Sequence, residues 1–105
     1  MHKLRINPLA RKDLLVIKEY ITEELDSPNA AENILTKIIE SYEKLKDFPY
    51  TSIELSSKID MATDYRFLVS GKYIIFYKVD HVYVSIYRIL YARRDYTRIL
   101  FDGEK

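Results

Sequence analysis

Residues 65–91 carry three runs rich in β-branched and aromatic side chains, at 65–69, 72–79 and 82–91, separated only by Ser70-Gly71 and Asp80-His81. Runs of that composition with two-residue breaks predict three strands joined by tight hairpins. In the middle run one parity holds Tyr73, Ile75, Tyr77 and Val79, and the other holds Ile74 and Phe76 between two lysines. The last run behaves alike, with Val82, Val84, Ile86 and Leu90 on one parity and Tyr83, Tyr87, Ile89 and Tyr91 on the other. Successive side chains of a strand point to opposite faces. Both faces of this sheet are therefore apolar, and two surfaces need cover.

The N-terminal half supplies helices for one of them. Residues 3–6, Lys-Leu-Arg-Ile, alternate as a short half-buried strand. Asn7-Pro8 follows, a capping residue with proline at the first helical position, and Ala10, Leu14, Ile17 and Ile21 recur at helical spacing through residues 9–25. Asp26-Ser27-Pro28 repeats the same start signal, and Ala31, Ile34, Leu35, Ile38, Tyr42 and Leu45 trace a second stripe. So short a connection folds the helices into an antiparallel hairpin. Pro49 ends the second helix at Phe48, because proline disfavours helical dihedrals in the residue before it. Residues 50–63 show no clear period and read as an irregular connection with a brief strand or turn. A turn of helix over residues 96–101 closes the pattern.

Two glycines and three prolines leave little material for long loops. The expected architecture is one α+β domain over residues 1–105, in the order β-α-α-β-β-β, with the two-helix antiparallel hairpin on one face of a small antiparallel sheet. The second face is left to residues 50–63, the C-terminal tail or another protein. Seven of the ten tyrosines fall at or after Tyr65, and tyrosine joins apolar area to a polar tip and is enriched at interfaces. That bias favours a partner chain as the missing cover, with Tyr65, Tyr73, Tyr77, Tyr83, Tyr87, Tyr91 and Arg94 as its contacts. The competing reading is that tyrosines simply fill strands well.

Composition removes several function classes. Without cysteine there is no disulfide framework and no thiolate metal site, which fits a reducing, cytoplasmic setting. No apolar run reaches the length of a signal peptide or membrane span. His2 and His81 have no partners at metal-ligand or triad spacing, and no glycine-rich phosphate loop occurs, so no metal or cofactor is expected. A formal net charge of +1 gives no global attraction to nucleic acid. Any phosphate binding must come from a local cluster, here Arg66, Arg88, Arg93, Arg94 and Arg98. Arg66 and Arg88 each interrupt an apolar strand, so each is either paired with a carboxylate or turned toward an anionic site.

Six segments together resemble the RelE/ParE superfamily of type II toxin–antitoxin toxins. They are Pro8-Leu9-Ala10-Arg11-Lys12-Asp13-Leu14 with Ile17 and Tyr20; Asn29-Ala30-Ala31; residues 45–49; Asp64-Tyr65-Arg66; Tyr73-Ile74-Ile75-Phe76-Tyr77; and Arg88-Ile89-Leu90-Tyr91-Ala92-Arg93-Arg94-Asp95. The resemblance implies a helical hairpin on a small sheet, and a cognate antitoxin that wraps the toxin in a hetero-oligomer. It also implies one of two targets. RelE-like members cut messenger RNA on the ribosome, which would assign Arg66, Arg88 and Arg93 to the phosphate and Tyr96 or Lys72 to proton transfer. ParE-like members inhibit DNA gyrase. Ile74 stands where the nucleases place an arginine and Leu68 where they tend to place a lysine, so the resemblance is nearer the ParE-like branch.

Overall fold

Asn7 and Ser27 start the two long helices as their sequence context dictates. In the computed structural model, which describes residues 1–102, Asn7 Oδ1 accepts the Leu9 amide at 2.9 Å and Pro8 opens α1 (Pro8–Leu25). Ser27 Oγ accepts the Ala30 amide at 3.2 Å, and Pro28 opens α2 (Pro28–Glu43). Between them Asp26 adopts a left-handed φ of 47°, a conformation that Asp tolerates better than most residues, and reverses the chain. Among the described residues, no helix is long and apolar enough to cross a membrane.

Five strands form one sheet: β1 (Lys3–Ile6), β2 (Ile53–Glu54), β3 (Arg66–Ser70), β4 (Tyr73–Val79) and β5 (Tyr83–Tyr91), in the order β1-β5-β4-β3-β2. Neighbours from β2 to β5 run antiparallel, but β1 pairs with β5 in parallel, Lys3 opposite Tyr83 and Ile6 opposite Ile86. The sheet is therefore mixed, a departure from the purely antiparallel expectation. A parallel pair needs a long crossover, and everything from α1 to β4 supplies it. Gly71, at φ 57°, makes the β3–β4 turn.

The hairpin covers one face. Ala10, Ile17 and Ile21 of α1 and Ala31 and Ile38 of α2 are buried against Ile75, Tyr77, Val84, Ile86 and Ile89. At roughly 1.5–3 kcal/mol for each large apolar side chain removed from water, this layer is the main source of stability. The other face holds a second core of Phe67, Phe76 and Leu90, closed by Leu55, Tyr65 and Ile99, with Ile59, Leu100 and Phe101 at its margin. Ile99 belongs to α3 (Tyr96–Phe101), the predicted closing helix. The far face is thus covered by the chain itself, through residues 55–59 and α3, and the expected open surface is not there.

One strand is also turned over halfway. Tyr77 lies opposite Ile86 but Phe76 lies opposite Arg88, so Tyr87 is an extra residue, a β-bulge. The parity inverts beyond it: Ile89 joins Val84 and Ile86 in the hairpin-side core, and Leu90 goes to the far side. The alternation read from sequence fails at this one residue.

Candidate functional site

Asp13 lies on the buried stripe of α1, between Ala10 and Ile17. Its two carboxylate oxygens accept from Arg88 Nε and a terminal nitrogen, both at 2.8 Å, and Oδ2 also accepts the Ile89 amide at 2.9 Å. The bulge at Tyr87 precedes these donors, and β1 ends opposite Ile86, so the Ile89 amide has no partner strand on the β1 side and donates to the carboxylate. Both side chains are largely buried, at 13% exposure for Arg88 and 11% for Asp13. Hydrogen bonding to Asp13 raises the Arg88 pKa further above its ordinary value, against the desolvation that lowers it. Arg88 is charged, neutralised and tied to a helix, an arrangement that pins α1 to β5.

Arg66, at the start of β3, is held by the irregular segment. Its guanidinium donates to the Ser52 carbonyl at 2.7 Å and the Tyr50 carbonyl at 3.3 Å, pairs with Glu54 at 3.4 Å, and lies over the Tyr50 ring. Tyr77 works alongside it: the hydroxyl donates to the Pro49 carbonyl at 2.9 Å and meets the Ser52 hydroxyl. These two side chains fix residues 49–54, whose sequence carries no period of its own.

The other residues singled out from sequence disperse. Tyr96 opens α3 on the far face, its ring 5.2 Å from that of Phe76. Arg93, Arg94 and Lys72 are exposed at the end where the β3–β4 turn meets the chain leaving β5. Tyr65 is buried on the far face in edge contact with Tyr87 and Phe101, beneath the Lys78 ammonium, which also pairs with Asp64. Burial raises the Tyr65 pKa and the Lys78 charge opposes it. Tyr77 is fully buried and offers a partner no surface; Tyr83 is half-buried beneath the Arg5 guanidinium, 4.0 Å from its ring centre. Of the residues of the nuclease reading, Arg66, Arg88, Arg93 and Tyr96 therefore go to a loop, a helix, a turn and the far face, and Lys72 to the β3–β4 turn. Among the described residues, no cluster of three or more His, Cys, Asp or Glu forms a metal site.

Three of the expected contacts do converge. Tyr73, Tyr91 and Arg94 line a groove of about 750 Å³ between the C-terminal half of α1, α2 and the β3–β4 turn. Its other wall is apolar and open to solvent: Val16, Tyr20 and Leu25 are 55%, 57% and 58% exposed. Tyr73 stacks edge-on against Tyr91, and burial, then the neighbouring Tyr20 and Tyr91, raises its pKa, so its hydroxyl stays neutral and able to donate. Of the residues of the nuclease reading, Lys72 lines this groove, and Arg66, Arg88, Arg93 and Tyr96 do not. The opening thus lies on the hairpin side of the sheet, opposite to the face left open by sequence reasoning. Val16 and Tyr20, with the equally exposed Leu9, form a second apolar strip beside the core stripe of α1, at spacings of seven and four. That widened stripe, and an acid at position 13 within it, were the available sequence signals for the groove wall and for the partner of Arg88.

Comparison with known proteins fits this geometry. Among solved structures, the "Chromosomal ParDE TA system from P. aeruginosa" superposes with a TM-score of 0.75 at 20% identity, covering 89% of this chain and 98% of that one. At that identity the likeness speaks for the fold. No curated protein sequence matches the chain. The family described as "ParE toxin of type II toxin-antitoxin system, parDE" matches residues 4–96, from β1 to the first residue of α3. With both helices of the hairpin and all of the sheet but Lys3 inside that match, the chain belongs to the ParE toxins of type II toxin–antitoxin systems.

Proposed function

We propose that this chain arrests growth by binding and inhibiting DNA gyrase in the cytoplasm, and that a cognate antitoxin neutralises it in a hetero-oligomeric complex. The observation that carries the choice of target is the state of the arginines. Cleavage on the ribosome by attack of a 2′-hydroxyl needs several cations and a proton carrier gathered around one phosphate. Here Arg88 is spent on Asp13 and Arg66 on loop carbonyls, while Tyr96 stands on the other face of the sheet. A binding protein needs no such convergence. Family membership and the toxin–antitoxin origin of the superposed structure support an antitoxin partner.

Expression of the chain alone is expected to give filamentation and DNA breaks, and the purified chain to block supercoiling by gyrase. Cleaved transcripts with intact supercoiling activity would instead select the ribosome-dependent ribonuclease and overturn the gyrase assignment. Growth without defect would overturn the toxin reading itself.

A further inference from the structure

The cover over the far face stops short of one corner. Residues 55–59 and α3 close over Phe67, Phe76 and Leu90, and that core ends at Tyr87. Leu4, Ile6, Val84 and Ile86 pack toward the hairpin, so the alternate residues Lys3, Arg5, Tyr83 and Ser85 stand on the opposite face. Lys78, between Tyr77 and Val79 of the hairpin-side core, joins them from β4. Arg5 and Lys78 both lie opposite Ser85, one on each neighbouring strand, which sets two cations about 10 Å apart at the backbone across a hydroxyl. Tyrosine rings support both. The Arg5 guanidinium lies 4.0 Å over the Tyr83 ring and donates from Nε to the Ser85 hydroxyl at 3.2 Å. The Lys78 ammonium lies over Tyr65 and Tyr87, at 4.5 and 5.2 Å from their ring centres. Their acids are exposed and marginal: Asp64 pairs with Lys78 at 3.2 Å, and Asp80, 4.0 Å from Arg5, already accepts the amides of Val82 and Tyr83. Ion pairs so exposed hold weakly, and a ligand anion can replace them.

From this arrangement we propose that the corner binds a short single-stranded segment of nucleic acid. One base stacks on the outer face of the Arg5 guanidinium, whose side chain is 55% exposed and whose inner face rests on Tyr83. Phosphates on either side of that base meet Lys3 and Lys78. An acidic protein segment would find the cations but no aliphatic anchor, whereas the centre of a protein interface is apolar and poor in lysine. A duplex keeps its bases stacked within the helix, which leaves the Arg5 platform unused and only a few phosphate contacts to hold it. A second copy of this chain would set like cations against each other. The proposal adds a ligand to the gyrase reading and does not depend on it, because the platform is built whatever the target.

The test uses the intact chain with three probes: an oligothymidylate, a DNA duplex of the same length and an amidated glutamate-rich peptide. In amide and side-chain spectra the oligothymidylate is expected to shift Arg5, Lys78, Tyr83 and Ser85. The duplex and the peptide, at the same concentration, are expected to leave them in place. Affinity for the oligothymidylate should fall about tenfold between about 50 and 200 mM salt, as two or three phosphate contacts on a single strand require. Lys78→Gln removes one such contact and should reduce that fall to about fourfold. Arg5→Lys keeps the charge and loses the planar surface, so it should weaken binding about fivefold or more with the salt dependence unchanged. Both side chains reach solvent, and retained spectral dispersion in each variant separates lost binding from lost folding. Shifts confined to Lys72, Arg93 and Arg94, equal shifts from the peptide or the duplex, or an Arg5→Lys variant that binds as the parent does each overturns the proposal. A chain that inhibits gyrase but ignores the oligothymidylate refutes the corner alone; one that binds the strand and leaves gyrase active refutes the gyrase reading alone.

Discussion

Arg88 shows how one residue type in an apolar strand resolves into structure. A guanidinium in that position needs an anion, and the anion is Asp13, seventy-five positions earlier in the chain, held by two side-chain bonds and a backbone amide. Removing one partner leaves the other charged, largely buried and unmatched, which costs far more than an exposed pair is worth. Asp13→Ala and Arg88→Ala are each expected to lose about 3–5 kcal/mol of stability. The double variant should lose clearly less than the sum, because the second removal takes away the stranded charge. Urea denaturation of the three variants checks both statements; additive losses would mean that the pair does not act as a unit. Arg93→Ala, at an exposed turn, should stay within about 0.5 kcal/mol of the parent in the same experiment.

The elements divide by whether their cause is local. Both helices were legible because cap, proline and apolar period coincide at Asn7-Pro8 and Ser27-Pro28, and the closing turn of helix at 96–101 was legible too, where the structure adds Asp95 as its cap. The hairpins were legible from Ser70-Gly71 and Asp80-His81. Residues 50–63 were not, since β2 is two residues long and its loop is fixed by Arg66 and Tyr77 from distant strands. Nor did period-two alternation reveal the extra residue at Tyr87, and that single slip hid which face stays open. The groove's tyrosines could be named from sequence, but their separation from Tyr65, Tyr77 and Tyr87 could not.

Two predictions belong to these elements. Ile99 is the fully inserted residue of α3, so Ile99→Ala should cost about 2–5 kcal/mol and uncover Phe67 and Phe76, with dye binding to exposed apolar surface as the readout. At the β4–β5 turn the Asp80 carboxylate accepts the amides of Tyr83 and Val82, which hold its pKa below the ordinary carboxylate value. A lowered folded pKa gives stability that is present above the unfolded value and lost as pH falls through the folded one. Asp80→Asn should therefore lower stability at neutral pH and leave it nearly unchanged in acid, which flattens the acid limb of the stability–pH curve. Thermal melting from neutral to acid pH reads this directly, and an unaltered acid limb would remove Asp80 as its cause.

At the scale of the whole molecule, charge decides between kinds of target. A protein that docks on ribosomal RNA neutralises many phosphates, and one making 6–10 such contacts loses roughly 10³–10⁵ in affinity between about 50 and 200 mM salt. This chain has a net charge of +1, its strand arginines Arg5, Arg66 and Arg88 are each ion-paired, and Lys37, Lys72 and Arg94 line one groove. Its affinity for gyrase, measured on immobilised protein across that salt range, is expected to fall by about tenfold at most, as for a contact with a few rim charges. Binding to naked RNA or duplex DNA over the same range should be weak at every salt concentration. A steep salt dependence on gyrase would show that the chain holds the enzyme through its bound DNA, and would move the contact to Lys72, Arg93 and Arg94.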